Sequence, residues 1–105
     1  MKFNTLEVSI NHRVAVIWLA REAVRNAFNE VSIAELTAAF SQFGHDDAVR
    51  AIVLAAQGPA FCAGADLDWM RRMSGYSNAE NQADAMKLAT MLRTIYECPK
   101  PVIAR

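Results

Sequence analysis

Gly58-Pro59-Ala60-Phe61-Cys62-Ala63-Gly64-Ala65-Asp66 is a run of small residues set between two segments of regular pattern. Before it, Ala51-Ile52-Val53-Leu54-Ala55 is a short apolar stretch of the kind that forms a buried strand, and Gln57-Gly58-Pro59 stops it. After it, Asp66-Leu67-Asp68-Trp69-Met70-Arg71-Arg72-Met73 places acids first and bases last, the order that suits the macrodipole of a short helix. Small side chains let a ligand approach the backbone. N–H groups entering a helix lack intrahelical acceptors, so such a loop can hold an anion or a developing oxyanion. As a bare pattern the run is more often an ordinary strand-to-helix connection. It is neither Gly-x-x-x-x-Gly-Lys-Ser/Thr nor Gly-x-Gly-x-x-Gly, which excludes the nucleotide-triphosphate and dinucleotide readings.

Upstream, Leu6-Glu7-Val8-Ser9-Ile10 alternates apolar with polar, and Val14-Ala15-Val16-Ile17-Trp18-Leu19 is apolar throughout. The two predict a β-hairpin with the more buried strand second. A polar segment follows from Arg21 to Asn29. Ile33, Leu36, Thr37, Phe40 and Phe43 then recur at helical spacing, with Gly44 where a C-cap glycine would stand. Downstream, Ser77-Asn78-Ala79-Glu80 has the form of a capping box. Ala85, Leu88, Ala89, Leu92, Ile95 and Tyr96 carry a long helix to Pro99. Pro101-Val102-Ile103-Ala104-Arg105 opens a further buried-strand pattern, expected to lie beside the 51–55 strand. An apolar strand at the chain end leaves an open edge, so 1–105 is expected to be the N-terminal part of a longer domain.

The composition excludes several classes. With 105 residues, 53% of them hydrophobic, the chain is sufficient for one small domain. Eleven basic residues balance eleven acidic ones, so there is no strong positive field for nucleic acid. Cys62 and Cys98 match no zinc spacing and are too few for a disulfide framework, which points to a reducing, cytoplasmic location. His12 and His45 have no ligand partners at metal spacing, so no metal is expected. No window approaches the roughly 18 apolar residues of a membrane span, and the N-terminus has no secretory pattern.

Ala60-Phe61-Cys62-Ala63-Gly64-Ala65-Asp66-Leu67 closely resembles the Ala-Phe-x-Ala-Gly-x-Asp-Leu signature of the enoyl-CoA hydratase/isomerase (crotonase) family. Arg25-Asn26-Ala27-Phe28-Asn29, Val49-Arg50-Ala51-Ile52-Val53-Leu54 and Cys98-Pro99-Lys100-Pro101-Val102-Ile103-Ala104 resemble neighbouring family segments in the same order and spacing. Residues 66–73 and the helix after them look most like methylglutaconyl-CoA hydratases. The resemblance implies an α/β fold, a crotonase-like spiral of ββα units, acting on an α,β-unsaturated acyl-CoA. It implies that the Ala65 backbone N–H is one oxyanion-hole donor to the thioester oxygen. Ala23, Arg25, Ala63, Ala65, Asp66 and Leu67 would line the CoA path, Arg25 facing phosphate. It also implies no cofactor beyond the CoA of the substrate, and assembly as a homotrimer or dimer of trimers. The family's second donor loop and its two catalytic glutamates follow the Lys-Pro-x-Ile-Ala strand, beyond Arg105. An isomerase or thioester hydrolase on the same scaffold, or a non-catalytic CoA- or RNA-binding fragment, are the alternatives.

Blander roles compete at several positions. Asp66 and Asp68 suit a first helical turn and are read as structural rather than as a catalytic pair. Cys62 has no motif linking it to either histidine, which favours a passive small residue over a nucleophile. Trp69, Met70 and Met73 serve equally as core or as acyl-pocket walls. Arg71 and Arg72 could meet CoA phosphates, but paired arginines late in a helix usually face solvent, which is the reading favoured.

Overall fold

A computed structural model describes residues 2–105. Strands β1 (Leu6–Asn11) and β2 (Val14–Leu19) form the antiparallel hairpin, with Val8 opposite Ile17. His12 and Arg13 make its turn with φ of 52° and 66°, the paired left-handed geometry that matches strand twist. Neither is glycine, and the strain is offset by anchoring. The Arg13 guanidinium donates to Asp47 O at 2.9 Å, and Arg13 O accepts from Arg50 N at 2.7 Å.

After β2 a single 3-10 turn (Glu22–Val24) leads to α1 (Glu30–Gly44), whose N-cap Asn29 and Ser32 exchange hydrogen bonds as a capping box. Strand β3 (Ala51–Ala56), α2 (Leu67–Met73), α3 (Asn78–Tyr96) and β4 (Val102–Ala104) complete the described chain. The sheet order is β1-β2-β3-β4, with β3 parallel to both β2 and β4. Ile52 pairs with Val102, which places the last strand where the sequence expects it.

Alternation along β2 and β3 turns Ala15, Ile17, Leu19, Ile52 and Leu54 toward the helices. There they meet Ile33, Leu36, Phe40 and Phe43 of α1, Trp69 of α2 and Met91 of α3 in one cluster. Fully burying a side chain of this size stabilises by roughly 1.5–3 kcal/mol.

One expectation needs correction. Gly44 is not a left-handed cap: it is the last helical residue, and the positive-φ glycines are Gly58 and Gly64. A Cβ there would sit 3.4 Å from both Cys98 Sγ and Pro99 Cδ, so close packing against the 98–99 turn is its role. The end of α1 is instead closed by the His45 and Asp46 N–H groups, which donate to Gln42 O and Phe43 O, and Lys100 Nζ adds donation to the carbonyls of Phe43 and Asp46. On α3 the inward stripe is Leu88, Met91 and Ile95, whereas Leu92 and Tyr96 are exposed. Helical spacing admits both stripes, and the position of α1 selects between them.

Candidate functional site

The loop from β3 to α2 is held by a backbone pairing that no periodicity signals. Phe28 forms an isolated parallel bridge with Ala65: Phe28 N donates to Gly64 O at 2.7 Å, and Asp66 N donates to Phe28 O at 2.7 Å. Ala63 N donates to Arg25 O at 3.0 Å. In extended chain successive peptide groups point to opposite sides, so with Gly64 O and Asp66 N turned to Phe28, Ala65 N–H turns the other way. Among the described residues no acceptor pairs with it. Gly64, at φ 93°, supplies the backbone bend that brings the loop into this register.

The loop borders a cavity of about 510 Å³. Ala23, Arg25, Ala63, Ala65, Asp66 and Leu67 all line it, with Val24, Ala27, Asp68 and Arg71. Four of these ten residues are alanines, and two arginines and two aspartates bring charge to the walls. A second cavity, about 440 Å³ between α1 and α3, is lined by Thr37, Ser41, Thr90 and apolar side chains, with Lys87 the one ionisable side chain among the described residues.

Asp66 is buried at the start of α2. Its Oδ1 accepts from Trp69 N at 2.9 Å and its Oδ2 from Arg21 Nη2 at 3.0 Å. The Trp69 N–H, opposed by burial and aided by Arg21, holds the carboxyl below its ordinary value of 3.8. It stays ionised and occupied, an N-cap and loop anchor rather than a proton donor. Asp68 pairs with Arg71 at 3.3 Å, both side chains largely in water. As placed, the cavity can hold and polarise a carbonyl group, but it presents no carboxylic acid poised for proton transfer.

The model of the enoyl-CoA hydratase/isomerase family matches residues 9–105. The chain belongs to that family. It is 37% identical to a Rhodobacter capsulatus protein named probable enoyl-CoA hydratase, covering 99% of this chain and 38% of that one. The crystal structure of an enoyl-CoA hydratase from Shewanella pealeana superposes with a TM-score of 0.95 at 35% identity, over 98% of this chain and 39% of the other. An enoyl-CoA hydratase structure from Mycobacterium smegmatis gives 0.87 at 36% identity, over 96% and 39%. The chain thus spans about two-fifths of the relatives it matches, with the crotonase fold across that span.

Within this crotonase-family chain the other candidates separate. Trp69 is buried and belongs to the core, Met73 packs against that core, and Met70 is exposed. Arg71 lines the cavity mouth, while Arg72 pairs with Glu30 at 3.0 Å away from it. Cys62 Sγ accepts from Gly64 N at 3.4 Å, and no histidine lines the cavity. His12 sits in the hairpin turn, and His45 Nδ1 faces Ser41 O. Among the described residues no group of three or more His, Cys, Asp or Glu could hold a metal, and no helix is long and apolar enough to cross a membrane.

The sequence by itself assigns no role to Arg21 or to Asn26, although Asn26 lies in the segment that resembles the family. Both sit in what reads as a merely polar segment, and both tie that segment to the β3–α2 loop. The available signal was chemical: asparagine tolerates the left-handed conformation that Arg25 and Asn26 adopt at φ 53° and 59°.

Proposed function

We propose that the cavity is the acyl-CoA site of an enoyl-CoA hydratase, with the Ala65 N–H donating to the thioester oxygen as it gains enolate character. The observation that carries this is the unpaired Ala65 N–H, turned away from the Phe28 bridge beside a cavity walled by small residues. A preorganised N–H of this kind needs no reorganisation when charge develops, and removing one typically costs about 10²–10³ in kcat. Ala23, Ala63 and Ala65 let the pantetheine arm lie against the backbone, and Arg25 and Arg71 offer charge to CoA phosphates. Water activation and α-carbon protonation need a carboxylate pair outside residues 1–105, and the working form is a homotrimer or dimer of trimers in the cytoplasm. No cofactor or metal takes part.

The test follows crotonyl-CoA binding to the 105-residue chain by amide chemical shifts. Ala65→Pro removes the donor, yet breaks no hydrogen bond within the described chain. It is expected to weaken crotonyl-CoA binding by about tenfold, whereas Ala65→Gly stays within a few-fold of the parent. If Ala65→Pro remains folded, binds as tightly and shifts Gly64 and Asp66 as the parent does, Ala65 is not the donor.

A further inference from the structure

We propose that Asn26 is a positioning residue that sets the backbone wall of the cavity through a buried three-way clasp, without touching the ligand itself. The functional side of this proposal rests on the acyl-CoA reading of the cavity. Asn26 is 2% exposed and lies outside the apolar core cluster. Its Oδ1 accepts from Arg21 N at 2.8 Å, while its Nδ2 donates to Gln57 O at 2.8 Å and to Ala60 O at 2.9 Å. One side-chain amide thereby joins the chain leaving β2, the chain leaving β3 and the start of the small-residue loop.

Immediately beyond this clasp the two segments zip together through Arg25 O with Ala63 N and through Phe28 with Gly64 and Asp66. Asn26 is thus the side-chain end of a series of contacts whose other end is the outward-turned Ala65 N–H. Arg21 braces the same series, donating to Ala27 O at 2.5 Å and to Asp66 at 3.0 Å.

The donor and acceptor count explains why asparagine is needed. The site requires one acceptor and two donors on a short side chain at positive φ. Aspartate has the shape and the acceptor, but sets a carboxylate against two carbonyl oxygens. Glycine keeps the backbone conformation and leaves Arg21 N, Gln57 O and Ala60 O without their partner.

The experiment uses the 105-residue chain with Asn26→Asp and Asn26→Gly, reading amide hydrogen exchange residue by residue and the affinity for crotonyl-CoA. Exchange at the Ala63 and Asp66 amides is expected to quicken about tenfold or more in both variants, and at Arg21 in Asn26→Gly, where its acceptor is gone, while amides in the middle of β2 and β3 keep their protection. Crotonyl-CoA affinity falls about tenfold in parallel. Unchanged exchange at Ala63 and Asp66, or affinity within twofold of the parent, overturns the proposal. If Asn26→Asp loses protection throughout the sheet, Asn26→Gly decides: local loosening with an intact sheet upholds the clasp. Unfolding of both variants makes Asn26 a general stability residue and refutes it. Should the parent itself show no crotonyl-CoA shift, the acyl-CoA reading fails, and the exchange comparison still decides whether the clasp exists.

Discussion

Gly58 and Gly64 flank the same loop for different reasons. At φ 93° a Cβ on Gly64 meets nothing within 4 Å, so backbone conformation alone demands glycine there. On Gly58, at φ 78°, a Cβ would lie 2.7 Å from Glu22 Oε1 and 2.8 Å from Glu22 Cγ, so the exposed Glu22 side chain must shift as well. Gly64→Ala is expected to destabilise by about 1–2 kcal/mol, the ordinary cost of left-handed backbone for an L-residue, and Gly58→Ala by more. Adding Glu22→Ala should recover the excess for Gly58→Ala and nothing for Gly64→Ala. Chemical denaturation of the singles and doubles checks this, and equal behaviour of the two glycines would refute the distinction. The glycines stand out in the sequence because a loop between strand and helix needs them. That they serve unlike ends becomes visible only when the Glu22 side chain is placed.

Each element carries its own local signals, and its position rests on a few contacts between elements. The Ser77 capping box on α3 forms as its spacing predicts, with Glu80 N donating to Ser77 Oγ at 3.2 Å, because both partners lie within one turn. The start of β1 is different. Glu35 of α1 accepts from Asn4 N at 2.8 Å, Thr5 N at 2.7 Å and Thr5 Oγ1 at 2.6 Å, a pin across some thirty residues of sequence that no local pattern reveals. Burial alone would raise the Glu35 pKa. The hydrogen bonds from Asn4 and Thr5 outweigh it and hold the group below its ordinary value of 4.5. A carboxyl lowered on folding adds stability that is fully present above its unfolded value and is lost as pH falls through its folded one. Melting temperatures of the parent should therefore drop on acidification below about pH 4.5 more steeply than those of Glu35→Gln, which carries no titrating group there. Parallel pH profiles would show that the pin contributes nothing to acid sensitivity. The inward stripe of α3 belongs to this scale too: Met91 and Leu92 are equally apolar in sequence, and contact with α1 buries one and exposes the other.

For the molecule as a whole, the separation between holding a carbonyl and transferring protons gives a direct expectation. The acids that line the cavity are Asp66, committed to Trp69 and Arg21, and Asp68, paired with Arg71 at the exposed mouth. Purified 1–105 should therefore bind crotonyl-CoA and give no measurable hydration in a spectrophotometric assay. Turnover by the chain, free of any longer form, would overturn the division of roles. By itself the sequence determined the hairpin, the two long helices, the parallel strands and the family, because each rests on periodicity, caps or motif residues a short distance apart. It also holds the segments that contribute to the cavity lining, since the signature and the Arg25-Asn26-Ala27-Phe28 segment are both explicit in it. Only the tertiary structure decided that these two segments meet, because the Phe28–Ala65 bridge and the Asn26 clasp join residues separated by more than thirty positions. Such pairings are governed by where β2 and β3 leave the sheet, a consequence of packing the core rather than of any local preference. For the same reason the free direction of the Ala65 N–H follows from the partner that occupies its neighbours, and that partner is assigned by the fold.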